Sequence, residues 1–197
     1  VSLLPRWMMW STAAVVLAVA GGLIAAVVLS SGGGGGGGGP AAGQKALTDY
    51  TAALRPPTTE GGRIVQQEMK PSLGEFAGGS LDGPSFVSRA RSWQLALARV
   101  RDQLRGITPP AVIASAGPLF VAAMDDYVRA AQLFERAGAA PQDQRSAALD
   151  TAVAAARLAD QAFDRAAVVV QRALQAAGLP KDSALPDPTP APSPSPT

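Results

Sequence analysis

The chain has 197 residues, with 17 Lys and Arg against 15 Asp and Glu, a formal charge of +2 and 16% charged residues. That length is one domain with appendages, and so small a charge builds no field to favour nucleic acid. The absence of Cys and His removes thiol nucleophiles, disulfides, the usual zinc and haem ligands, and every dyad or triad that needs imidazole.

The first element in chain order is the stretch from Trp7 to Leu29, 23 residues without a charge. As a helix it measures about 34 Å, enough to cross the hydrocarbon core of a bilayer. Trp7 and Trp10 suit the interface, and Gly21 and Gly22 are tolerated inside a lipid-embedded helix. Arg6 precedes the run and no charge follows before Lys45, so the cation bias puts the N-terminus in the cytoplasm and the body of the protein outside. The rival reading is a cleaved signal peptide with Val28-Leu29-Ser30 before the cut, which would leave a secreted protein. The apolar run is longer than a signal peptide needs. Without a Cys after it, lipoprotein acylation is excluded.

Residues Gly32 to Gly39 are eight consecutive glycines, a flexible tether whose root-mean-square reach is about 15 Å. At the other end, seven of the 18 residues from Pro180 to Thr197 are proline, a composition that reads as an extended, disordered tail. The expected organisation is a cytoplasmic end at 1–6, a transmembrane helix at 7–30, a linker at 31–40, a helical bundle at 41–179 and the tail at 180–197.

Inside the bundle, a helix is expected over Ala42 to Arg55, with Leu47, Tyr50 and Leu54 on one side. Pro56-Pro57 separates it from a second over Thr59 to Ala77, bearing Val65, Met69, Leu73 and Phe76, which Pro71 bends. From Phe86 the apolar positions Phe86, Ala90, Trp93, Leu97, Val100, Leu104 and Ile107 alternate steps of four and three, one stripe on one helix face. Ser85 is its expected N-cap and Gly106 its end. The next stripe runs Ile113, Ala116, Phe120, Ala123, Tyr127, Ala130, Phe134 and Ala137, with Thr108 as cap, a kink or a short first helix near Ala114 to Gly117 caused by Pro118, and Gly138 as the stop. The last runs from near Pro141 to Ala177 through Leu149, Ala152, Ala156, Ala159, Phe163, Ala166, Val170 and Ala173, closed by Gly178 and Pro180. The shared seven-residue apolar repeat is that of coiled-coil-like packing. The fold class is therefore all-α: a transmembrane helix plus an extracytoplasmic antiparallel bundle of about four helices, the first broken. Its aromatic and Ala-rich seam reads as a packed core, with no cofactor and no metal.

Asp126, Asp160 and Arg101 fall beside the stripes and read as ion pairs at the bundle flank. Arg89, Arg91, Arg99, Arg101 and Arg105 give their helix a basic outer face, the candidate contact for anionic lipid headgroups or envelope polymers beside the membrane. The glycine pairs lack a following Lys-Ser or Lys-Thr, so no phosphate loop is present, and no Gly-x-Ser-x-Gly turn occurs.

Within Leu97 to Ala137, the runs Leu-Arg-Gly-Ile-Thr-Pro-Pro (104–110) and Phe-Val-Ala-Ala-Met-Asp-Asp-Tyr-Val-Arg-Ala-Ala (120–131) resemble a pattern of small envelope proteins of high-GC actinobacteria. Those carry a signal or anchor followed by an Ala-rich helical domain, and the resemblance implies the same layout here. It carries over no catalytic residue. Two functions follow as expectations: a non-enzymatic interaction or structural module of the envelope, or a carrier holding a lipid or other apolar ligand within the bundle.

Overall fold

A computed structural model describes residues 40–182 and 185. The expected span at Trp7–Leu29, the glycine tether and the end of the tail lie outside the described residues, among which no helix is long and apolar enough to cross a membrane. The described chain is all-helical. Helix α1 (Pro40–Arg63) passes through a π-helical turn (Ile64–Met69) into α2 (Lys70–Ala77), followed by α3 (Gly83–Arg105), a 3-10 turn (Ala111–Ile113), α4 (Ala116–Ala139) and α5 (Gln142–Ala176).

The expected break at Pro56-Pro57 does not occur: both prolines lie inside α1. A proline costs a helix one amide bond four residues back, and here the carbonyls left without that donor belong to Ala52 and Ala53, which are exposed to water. Just beyond them, the Thr58 hydroxyl donates to the carbonyl of Leu54 at 2.9 Å and reaches that of Arg55 at 3.2 Å. The irregularity comes later, in the π turn. Lys70 donates its backbone N–H five residues back to Val65, and Pro71 follows at the start of α2. Because Arg63, Met69 and Lys70 all keep right-handed helical dihedrals, Pro40 to Ala77 is one rod with a register shift.

The cap of α3 is Asp82, not Ser85. Its carboxylate accepts from the Ser85 backbone N–H at 2.7 Å, while Pro84 occupies the first turn, where no amide donor is needed. Pro118 likewise falls in the first turn of α4; the short helix before it is a 3-10 turn at Ala111–Ile113, ahead of the expected Ala114 to Gly117, and Thr108 caps neither it nor α4, whose cap positions are Pro110 and Ser115. Gly178 ends α5 as expected. Its φ of 70° lets Leu179 donate back to Leu174 at 2.9 Å and Gly178 to Gln175 at 3.1 Å, a Schellman arrangement. Gly138 does not stop α4 by a left-handed turn. It lies within the helix and has no positive φ. A Cβ there would come within 2.9 Å of Phe86 Cδ1 and Val87 Cγ2, and one at Gly83 within 2.8 Å of the Gly138 carbonyl. These two glycines let the start of α3 touch the end of α4.

The four rods, 40–77, α3, α4 and α5, pack together. The broad seams are α3 with α4 and α4 with α5, while the first rod covers α3 and meets α5 more lightly. Pairs along the seams run in opposite directions, Arg91 with Glu135 and Arg101 with Asp125, then Phe120 with Phe163 and Tyr127 with Asp160, so neighbours are antiparallel. Every apolar position of the α3 stripe from Phe86 to Leu104, and of the next from Ile113 to Ala137, is buried. At one end Phe76 stacks on Phe86 at 4.2 Å, and Phe86, Trp93 and Phe134 meet edge to face at 5.8 to 6.5 Å.

Candidate functional site

A residue step of about 100° on a helix spreads positions 89, 91, 99, 101 and 105 around α3, and their partners lie accordingly in different directions. Arg89 donates to Ser72 Oγ at 2.8 Å and Glu75 Oε2 at 2.7 Å, toward α2. Arg91 donates to Glu135 Oε1 at 2.7 Å, toward α4, and Gln94 Nε2 donates to the other oxygen of that carboxylate, Oε2, at 2.7 Å. Arg101 bridges Asp102 and Asp125, and Arg105 reaches Asp102 at 3.3 Å. Arg99 is exposed on the side of Glu60. The structure thus does not gather these arginines on one face, and four of them carry a carboxylate with them. The donors on Glu135, Gln94 first and then Arg91, hold its carboxyl below the ordinary range. Arg63 does the same to Glu60 through a side-chain hydrogen bond.

The flank charges read from the sequence find these partners. Arg101 meets Asp125, not Asp126. Asp160 accepts a hydrogen bond from the buried Tyr127 hydroxyl across the α4–α5 seam. Burial, and after it the Asp160 charge, pushes the Tyr127 phenol well above its usual value, which fixes it as a donor. Asp164, one turn on, is raised by desolvation and by Asp160. Two carboxylates and a phenol make no metal cage: no group of three His, Cys, Asp or Glu side chains converges among the described residues.

Three further features carry polar chemistry into the interior. Tyr50 on α1 is 3% exposed and its hydroxyl has no hydrogen-bond partner. Burial pushes its pKa up to about 12. Arg145 at the start of α5 has a buried Nε without a partner and holds its guanidinium 5.2 Å over the Phe76 ring, a cation–π contact. Gln171 on α5 is buried and engages the chain after the helix: its Nε2 donates to the Asp182 carbonyl at 2.8 Å, and its Oε1 accepts from the Asp182 backbone N–H at 3.2 Å. Asp182 is buried too and pairs with Arg55 at 3.3 Å, and Leu185 is in the core cluster. The folded part therefore continues past Pro180, where composition alone starts the tail. Sequence reasoning missed this site. The available signal was Gln171 itself, a polar residue within the apolar set Ala167, Val170 and Leu174. No family model, curated protein or solved structure matches this chain.

Proposed function

We propose that this chain is a single-pass membrane protein, anchored by Trp7–Leu29 with its N-terminus in the cytoplasm, that displays its helical bundle outside the membrane as a non-catalytic interaction or structural module of the cell envelope. The observation that carries the reading is the 23-residue charge-free run joined by eight glycines to an amphipathic helical domain. The bundle supports the second half of it. Its interior is occupied by interlocking aromatic and aliphatic side chains, and ion pairs such as Arg89 with Glu75, Arg91 with Glu135 and Arg101 with Asp125 stand at its flanks, so the working part is a helix face or groove. Contact with anionic headgroups or polymers through Arg89, Arg91, Arg99, Arg101 and Arg105 belongs to the proposal. At four of them phosphate oxygens would replace a carboxylate partner.

Alkaline carbonate treatment of membranes tests the anchor: the full chain stays in the pellet, and protease added to spheroplasts degrades its C-terminal half. Release into the supernatant overturns the anchor in favour of the secreted form. Crosslinking in intact cells tests the interaction role. No partner enriched above an unrelated anchored domain counts against it.

One observation favours a second reading, a carrier of an apolar ligand: the Tyr50 hydroxyl is a buried hydrogen-bonding group without a protein partner, the kind of lone polar contact that orients a ligand in an apolar site. Native mass spectrometry of the protein purified from its source membrane decides it. A retained lipid or metabolite, lost in Tyr50→Phe, supports the carrier, and a bare polypeptide mass removes it.

A further inference from the structure

A primary amide has the donor and acceptor pattern of a peptide unit, so a buried glutamine can pair with a passing backbone as another strand would. Gln171 does this. It is 4% exposed, donates to the Asp182 carbonyl at 2.8 Å, accepts from the Asp182 N–H at 3.2 Å and approaches the Leu185 carbonyl at 3.5 Å. These contacts hold main chain and are indifferent to side chains. Selection comes from the neighbours. The Asp182 side chain is 5% exposed and its Oδ1 accepts from Arg55, which is 51% exposed and belongs to α1. Three positions on, Leu185 is 5% exposed within the core cluster, and its N–H closes a turn onto the Asp182 carbonyl at 3.1 Å. Gln44 of α1 donates to the Ala177 carbonyl at 2.8 Å beside this place. The seam between α1 and α5 therefore reads three things: backbone through Gln171, an acid through Arg55, and a leucine three residues later through an apolar seat. That is the division of labour of a peptide-recognition groove, main-chain bonds for affinity and pockets for specificity.

We propose that the α1–α5 seam is a docking groove for a peptide of the form acid-x-x-leucine, filled here in cis by Asp182 and Leu185, and opened when a partner protein carrying the same motif displaces them. This names the partner class for the interaction role proposed above and rests on it. The exchange is physically accessible because neither Asp182 nor Leu185 lies in a helix or strand. They are joined to the bundle through the Gln171 amide, a partly solvated ion pair and a leucine side chain, and irregular segments beyond a helix end open at less cost than the helices they lie against. Once open, Gln171 and Arg55 are satisfied by water until a competing motif restores the same bonds. A short tether gives the cis segment an effective concentration in the millimolar range, so the groove excludes weak competitors and admits a partner that is held nearby.

The test uses the full chain in detergent and a labelled synthetic peptide with the sequence of residues 180–187. Asp182→Ala combined with Leu185→Ala empties the groove without altering it. This variant binds the peptide at least about tenfold more tightly than the unaltered chain, the margin set by removing the tethered competitor. Adding Gln171→Ala to that background, or replacing the leucine of the peptide by alanine, abolishes binding. Equal binding to both chains, binding to neither, or binding that survives Gln171→Ala overturns the groove. A second readout needs no variant: tryptic cleavage after Lys181 in the unaltered chain accelerates severalfold at millimolar peptide, and an unchanged rate overturns the proposal. A groove that passes both tests in a chain that crosslinks to no partner in cells stands as a cis latch, and the loss then falls on the interaction role alone.

Discussion

The two tyrosines of the chain, Tyr50 and Tyr127, are both shielded, but differently. Tyr127 gives its proton to the Asp160 carboxylate as a hydrogen bond, whereas the Tyr50 hydroxyl is buried with no partner. Both folded-state pKa values are raised, Tyr50 to about 12 and Tyr127 well above the ordinary value, chiefly by burial. An unfolded tyrosine ionises near about pH 10. The stability linked to these groups is therefore full below that pH and is lost as pH rises through the folded values. Ultraviolet titration should show no native tyrosinate at about pH 10.5, with the denaturation midpoint falling above about pH 10. Phenylalanine separates the two residues. Tyr50→Phe removes an unsatisfied hydroxyl and raises stability by about 1 kcal/mol in urea denaturation, whereas Tyr127→Phe leaves Asp160 without its donor and lowers it. Gly138 matters through space, because its missing Cβ is where Phe86 and Val87 sit. Gly138→Ala is expected to cost about 1 to 3 kcal/mol as overpacking, measured by the same denaturation, and a neutral result would mean that α3 can move aside freely.

Among the elements, the first rod departs furthest from what local preference dictates. A Pro-Pro pair reads as a helix boundary because the ring of each proline crowds the preceding turn. The rod continues through it because Leu47, Tyr50 and Leu54 before the pair, and Ile64, Val65 and Met69 after it, all face the core, so burial outweighs the lost amide bonds. Pro56 itself is exposed, and Pro56→Ala restores a bond to Ala52. An increase of about 1 to 3 kcal/mol in stability is expected from the propensity difference, read from the urea midpoint; a decrease would mean that the ring serves the fold by restricting the unfolded chain. The N-cap of α3 makes a plainer prediction: Asp82→Ala lowers the melting temperature at neutral pH, and the loss shrinks as acid protonates the capping carboxyl. The sign follows from the bond donated by Ser85, which holds the Asp82 pKa below its usual value, so the contribution is present above the unfolded pKa and is lost as pH falls through the folded one.

For the whole molecule, the buried residues of all four rods and Leu185 form one contiguous cluster, which predicts a single cooperative transition for residues 40–197. That fragment contains one tryptophan, Trp93, 1% exposed. Its fluorescence and the far-ultraviolet dichroism should lose native signal at the same denaturant concentration. Separate transitions would mean that the lightly attached first rod opens on its own. By itself the sequence determined the helical class, the inward stripes of α3 and α4 and the ends marked by Gly106 and Gly178, because amphipathic period and glycine stops, the one at Gly178 a left-handed turn, are local chemistry written in a few neighbouring residues. Only the tertiary structure decided that α1 runs through its prolines, that Gly138 is a point of contact between helices, that the arginines of α3 are shared out among carboxylates of α2, α3 and α4, and that Asp182 and Leu185 fold back under Gln171. Each of these depends on what a distant segment brings to the same place, and the energy of such a meeting is carried by no single stretch of chain.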